Sequence, residues 1–362
     1  MLNITILVSK HLDLTQVKQH TPTVTINGVT IVELETAEGH FRVHLVRDSQ
    51  YLNVKLEEGS KLAAYYNSLF WHEASTAEKI AIPSAHFKNA FRVADGEQKH
   101  SVFVTTFEKA GTARTRLGLP ELEQIAKQIA TLHAVNSRVV TNEFRTAVEE
   151  NFGNIKLWRK KYRKDLIEVL ELGITTATSQ FFLNPSKVLE KVDILIHHLD
   201  NLREEDETEK SEHVITHGAL TADTCRFDQE GNLAEITDWE SIHLGNPAED
   251  LTNLIISSAD TQTRRKKFMK VFQVYFYTLV DLRPPNYQLT DLKRWFGDQQ
   301  AQCIINGIEA LLLKLAESED DEEKREAAHR WESALDDAVD YLTGNYVSDD
   351  EQVFFAQKED EE

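Results

Sequence analysis

The sequence predicts an α+β chain of two lobes, a small β-rich N-terminal lobe followed by a larger helical one. Three observations carry this. Up to about residue 108, apolar and polar residues alternate between turn signals, the period-2 pattern of half-buried strands. From about residue 116, apolar residues recur at helical spacing. The chain has 362 residues, 41% of them hydrophobic, which is enough to bury the cores of two lobes. The lobes are placed at 1–112 and 113–346, with an acidic tail at 347–362.

Each element has its own signal. Residues 1–8, mildly apolar and without a basic leader or a small-residue cleavage site, read as a strand and not as a signal peptide. Residues 23–26 and 29–32 flank Asn27-Gly28, a strong hairpin signal. Phe41 to Val46 alternates after the turn Glu38-Gly39-His40. A helix is predicted over 57–70, with Leu62, Tyr65, Tyr66 and Leu69 on one face, then strands near 87–93 and 101–107. The lobe boundary falls near Glu108 to Arg116. Leu119-Pro120-Glu121-Leu122 opens a helix with Leu122, Ile125, Ile129 and Leu132 on one face and proline in its first turn. Further helices are predicted near 141–171, 185–203, 246–257, 261–281, 288–316 and 323–343, the last using Trp331, Leu335, Val339 and Leu342. The charge run from Arg203 to Lys210 reads as an exposed loop, and the stretch after Gly344 as too polar to order fully.

Charge is uneven. The net charge is −20, and residues 317–362 hold 18 acidic and 4 basic residues, so the rest of the chain carries only −6. The acidity therefore reads as a tail, either solubilising or a docking arm for a basic partner. It argues against nucleic-acid binding, which needs clustered Lys and Arg. No apolar run reaches the length of a membrane span. Cys225 and Cys303 lie far apart in sequence, so no disulfide framework is expected and a cytoplasmic, reducing setting is. There is no Cys-x-x-Cys, no Gly-x-Ser-x-Gly and no Walker-type loop.

The chemistry-bearing stretch is His217-Gly218-Ala219-Leu220-Thr221-Ala222-Asp223-Thr224, followed by Asp238-Trp239-Glu240. Phosphoryl transfer requires positioning, charge neutralisation and a group that receives the hydroxyl proton. In small-molecule kinases those roles fall to His-Gly-Asp-Leu-x-x-x-Asn and a later Asp-Trp or Asp-Phe. The region 215–251 resembles the choline kinase and aminoglycoside phosphotransferase superfamily. It is most similar to its CHK-kinase-like branch, which includes ecdysteroid-kinase-like proteins and a large nematode group. The carrying residues are Thr216-His217-Gly218, Leu233 to Glu240, and His243-Leu244-Gly245-Asn246-Pro247-Ala248-Glu249-Asp250-Leu251. The helix Ile125 to Ala134 resembles the family's "lA-x-lHA" helix, and Arg264-Arg265 with the helix to Tyr277 resembles its following segment.

The resemblance implies a two-lobed protein-kinase-like fold, and ATP with Mg2+ as cofactors of a competent cleft. It also shows departures. The catalytic Asp position is Ala219, and losing a positioned general base costs about 10²- to 10⁴-fold in rate. The Asn metal-ligand position is Thr224, a shorter and poorer ligand, whereas Asp238 keeps the second metal position. On the third strand of the small lobe, His44 stands where a Lys should meet the nucleotide phosphates. Lys61 stands where its Glu partner should be, with Glu57 and Glu58 one register slip away. Asp223 is read either as a replacement base or as a loop carboxylate. His217 and Asp250 are read as braces of the loop, with Asn246 or Asp250 acting on substrate as the other reading. Two functions follow. One is a catalytically inactive pseudokinase, a binding or scaffold module for a protein partner or a small ligand in the interlobe cleft. The other is a divergent ATP-dependent phosphotransferase for a hydroxyl or amino-alcohol acceptor.

Overall fold

The structure, a computed structural model, describes residues 4–19, 24–26, 29–47, 86–95, 98–106, 111–134, 163–201, 213–237, 241 and 243–345. The N-terminal segment differs from its expectation: Ile4–Leu12 is a helix, α1. A short apolar run fits strand or helix equally by periodicity, and burial decides between them. Val8 is fully buried, Leu12 one turn on packs beside it, and Ile6 is 64% exposed. A strand would have put residues 6 and 8 on one face.

An antiparallel sheet follows, built from β1 (Lys18–Gln19), β2 (Val24–Ile26), β3 (Val29–Thr36), β4 (Gly39–Arg47), β5 (His86–Asp95) and β6 (Gln98–Thr106), in the order β1-β3-β4-β6-β5 with β2 also on β3. The pairing Ile26↔Val29 brackets Asn27-Gly28 as the hairpin signal requires; those two residues, and the helix expected at 57–70, lie outside the described residues. One face carries the small core. Val32, Leu34, Phe41, Val43, Leu45, Val102 and Val104 are buried there with Val8 of α1. Alternation along β4 sends Arg42 to the other face.

The helical region begins after β7 (Thr112–Ala113) with α2 (Leu119–His133) and continues with α3 (described over 163–176), α4 (Pro185–Asn201), α5 (Glu249–Ser258), α6 (Thr261–Leu282), α7 (Leu289–Asn306), α8 (Ile308–Glu317) and α9 (Asp321–Leu342). Its core is one large cluster that includes Leu122, Ile129, Leu254, Phe268, Tyr275, Phe296 and Leu335. Between α4 and α5 lie β8 (Val214–Thr216), β9 (Cys225–Phe227), β10 (Leu233–Ile236) and β11 (His243–Gly245). Strands β11 and β8 pair with each other, and β10, β9 and β7 form a second small sheet.

Two expectations are corrected here. The helix expected over 288–316 is two helices, broken at Gly307. The Trp331 indole N–H donates to the Ile304 carbonyl at 3.2 Å, an acceptor that an unbroken helix would reserve for residue 308. The acidic run is also only partly a tail. Much of it builds α9, where Asp321, Glu322 and Glu323 occupy the first turn, a favourable place for negative charge. Two of its acids are buried and engaged. Asp337 pairs with Arg264 and Arg265 of α6, and Glu332 accepts the Leu183 and Asn184 N–H groups at 2.7 Å each. Residues 346–362 lie outside the described ones. Among the described residues no helix is long and apolar enough to cross a membrane, and Cys225 and Cys303 are buried and not joined to each other.

Candidate functional site

The loop expected to carry the chemistry leaves the fully buried strand β8 and turns at Gly218, whose φ is +79°. A Cβ there would stand 2.2 Å from the Ser241 carbonyl oxygen and 2.8 Å from His243 Nδ1, so both the backbone angle and the space demand glycine. The turn is fixed from below by Asp250, in the first turn of α5. Its Oδ2 accepts the His217 N–H at 2.8 Å and its Oδ1 the Gly218 N–H at 2.9 Å. His133 at the end of α2 places Nε2 3.7 Å from Asp250 Oδ2, and its Nδ1 is 2.8 Å from the Tyr275 hydroxyl, which in turn lies 2.8 Å from that of Tyr287. Burial alone would raise the Asp250 carboxyl, but His133, His217 and the His217 N–H together hold it below the ordinary value.

His217 is engaged at both ring nitrogens. The Ala219 N–H donates to Nδ1 at 3.3 Å, which leaves the ring proton on Nε2, donated to the Thr237 carbonyl at 2.7 Å. Next to it His243 is 1% exposed, with Nδ1 2.8 Å from the Ser241 carbonyl and Nε2 3.1 Å from Glu249. Asn253 donates to the Leu220 carbonyl at 2.9 Å and the Ser258 hydroxyl accepts the Ala222 N–H at 2.8 Å, pinning the rest of the loop onto α5.

At the two altered positions the geometry is explicit. Ala219 presents a methyl group. Thr224, 7% exposed, closes a turn on itself: its hydroxyl donates to the Thr221 carbonyl at 3.0 Å and accepts the Thr221 N–H at 3.0 Å. Asp223 between them is exposed and lies within electrostatic reach of Arg330. The Thr237 N–H bonds the Thr224 carbonyl at 2.8 Å, so the strand end that leads to Asp238 is tied to the same turn. Asp238, Lys61, Glu57 and Glu58 themselves lie outside the described residues. The backbone of His44 sits on β4, opposite Ile31 and Phe103.

Sequence pattern alone does not single out Arg42, which is fully buried on β4, two residues before His44. Its Nη1 donates to both oxygens of Glu235 on β10 at 2.7 Å, and its Nε and Nη2 reach Glu33 on β3 at 3.1 and 3.0 Å. Burial would lower this guanidinium, but Glu235 first and Glu33 next raise it above its usual value. The cross-strand half was legible, because Glu33 pairs with Arg42 in the hairpin register. The contact to Glu235 was not, because 193 residues intervene.

The described residues do not supply a donor set for Mg2+ and nucleotide phosphates. Among them no group of three or more His, Cys, Asp or Glu is placed so as to hold a metal ion, the Thr224 hydroxyl is committed to Thr221, and Arg42 is held by two carboxylates.

Comparison with known proteins adds the following. The profile of the family described as "DUF1679: Uncharacterized oxidoreductase dhs-27" matches residues 76–343. None of the curated proteins matches the sequence significantly. In fold the chain is similar to a microcompartment-associated aminopropanol kinase (TM-score 0.51, 10% identity, 94% of this chain and 98% of that one). It is also similar to the ethanolamine kinase of Plasmodium vivax (TM-score 0.50, 11% identity, 93% and 86%) and to spectinomycin phosphotransferase in complex with ADP and spectinomycin (TM-score 0.50, 11% identity, 93% and 98%). At such identities the likeness is one of fold: a small antiparallel sheet region and a larger helical region in the two-lobed kinase-like arrangement.

Proposed function

The chain belongs to the DUF1679 family, and from that premise we propose that it is a kinase-fold protein that does not transfer phosphate and acts as a binding or scaffold module. The observation that carries this reading is the state of the loop. The proton-accepting position is a methyl group at Ala219, and the hydroxyl at the metal-ligand position is consumed by Thr221. A single such change is open to compensation. Two in one loop leave His217 and Thr224 bonded to backbone groups, with Asp223 exposed beside them. The cleft then takes a small ligand or a protein segment, in a cytoplasmic setting that suits two buried cysteines not joined in a disulfide. The word oxidoreductase in the family's description belongs to the protein it names. The described sheets of this chain are antiparallel, unlike the parallel sheet of a dinucleotide-binding domain.

The test uses purified full-length protein with labelled ATP and Mg2+ against choline, ethanolamine, aminopropanol, sterol and aminoglycoside acceptors. The expected result is no transfer above a no-protein control, and no Mg2+-dependent thermal shift with ATP. Turnover abolished by Asp238→Ala would overturn the reading.

One observation favours the second reading, a divergent small-molecule phosphotransferase. The loop has a fixed shape, with Gly218 at positive φ and Asp250 bonded beneath it. A loose transition state makes the base less than essential. The acceptor would be a hydroxyl or amino-alcohol, the class that the fold neighbours' names suggest.

A further inference from the structure

We propose that Arg42 is a strut that pins the sheet lobe onto the helical lobe in one fixed closure, whether or not a nucleotide is bound. This stands apart from the reading of the loop, since it uses neither Ala219 nor Thr224. In two-lobed enzymes closure is commonly a hinge motion gathered around a bound ligand. Here the gathering contact is made by side chains. Arg42 lies on β4, on the face of the sheet turned away from the small core. Glu235 lies on β10, two residues before Thr237 and the strand end that leads to Asp238.

The guanidinium is used on two edges. One nitrogen takes both Glu235 oxygens at 2.7 Å, while Nε and Nη2 hold Glu33 of the same sheet at 3.1 and 3.0 Å. Glu33 therefore orients the guanidinium, and Glu235 receives it across the seam. A guanidinium held on one edge by Glu33 has its remaining N–H directions fixed, so it meets a second carboxylate only in a narrow range of positions. Arg42 is 0% and Glu235 2% exposed, so the pair is dry. A dry ion pair adds little net stability over well-packed apolar groups, but it is intolerant of a missing partner. Its effect is to select one relative placement of the lobes.

The experiment compares the full-length chain with Arg42→Met, Glu33→Gln and Glu235→Gln by small-angle X-ray scattering and amide hydrogen exchange. The unaltered chain is expected to give the same radius of gyration with and without Mg·ATP. Arg42→Met is expected to increase that radius and to speed exchange over 225–236 by about tenfold or more, as Glu235 seeks water. Glu33→Gln, which keeps an acceptor oxygen for Arg42 and so still orients the guanidinium, is expected to leave the scattering unchanged. Where Arg42→Met does not fold, Glu235→Gln keeps size and one acceptor oxygen and should show the same effects in smaller measure. The strut is overturned if the Arg42 or Glu235 variant matches the unaltered chain, if Glu33→Gln opens it as far as Arg42→Met, or if Mg·ATP compacts the unaltered protein.

Discussion

Replacing Asp250 with asparagine tests whether the loop is built from beneath. The two side chains have nearly the same shape, but the amide offers one acceptor oxygen where the carboxylate offers two. In the native loop both oxygens are occupied, by the N–H groups of His217 and Gly218 at 2.8 and 2.9 Å. The substituted amide would satisfy one of them and turn its own N–H toward the other. A buried donor left unpaired costs about 1–3 kcal/mol, and the opposed donor adds to it, so the expected loss is about 2–4 kcal/mol. For a helical lobe of this size, that lowers the melting temperature by about 2 °C per kcal/mol. The assay is urea unfolding followed by tryptophan fluorescence, repeated across pH. The Asp250 carboxyl titrates below its ordinary value of 3.8 in the folded chain. Its stabilisation is therefore complete above that value and is lost as pH falls through the lower, folded one. The gap between the two proteins should be full down to about pH 5 and should shrink only as pH falls below 3.8. A gap under about 0.5 kcal/mol at pH 7, or one that widens in acid, would refute the account of Asp250 as the anchor of Gly218.

Three further outcomes are expected. Asp337→Ala leaves Arg264 buried without its carboxylate and should cost about 3–5 kcal/mol in urea unfolding, most of it recovered when Arg264→Met is added. Thr224→Ala removes the hydroxyl from its turn and should cost about 1 kcal/mol while leaving the thermal response to Mg·ATP as it was; a changed metal response would mean that the hydroxyl does meet metal. Burial pushes the Cys225 thiol up to about 12, so iodoacetamide at pH 8 should label it only after unfolding, as mass spectrometry of native and urea-treated samples can show.

The elements that were legible in the sequence are those whose pattern is local. The hairpin around Asn27-Gly28 and the amphipathic face of α2 follow from spacing alone. Misreadings arose where a distant group decided the local structure. Residues 4–12 became a helix because Val8 and Leu12 meet the sheet together, and the break at Gly307 accompanies Trp331, whose indole takes a carbonyl from α7. The site divides in the same way. The loss at Ala219 can be read from one letter. The fate of the Thr224 hydroxyl depends on Thr221 curling beneath it, and sequence gives the residue but not the direction in which its hydroxyl points. Arg42 was the hardest to see. An arginine within an alternating strand reads as a solvated outer face until its partner, far along the chain, is known.

That separation bears on how the molecule assembles. Strands β2 to β4, and β5 with β6, pair with near neighbours in sequence, so their ladders close short loops. The contact between Arg42 and Glu235 closes a loop of 193 residues. Loop-closure entropy places such a contact late in folding, after both partners already sit in formed structure. Contacts made after the rate-limiting barrier govern how fast a protein comes apart and not how fast it forms. Severing this pair should therefore leave the refolding rate nearly unchanged and shorten the lifetime of the folded chain. Persistence in time, as much as shape, is what a single buried arginine contributes to this protein.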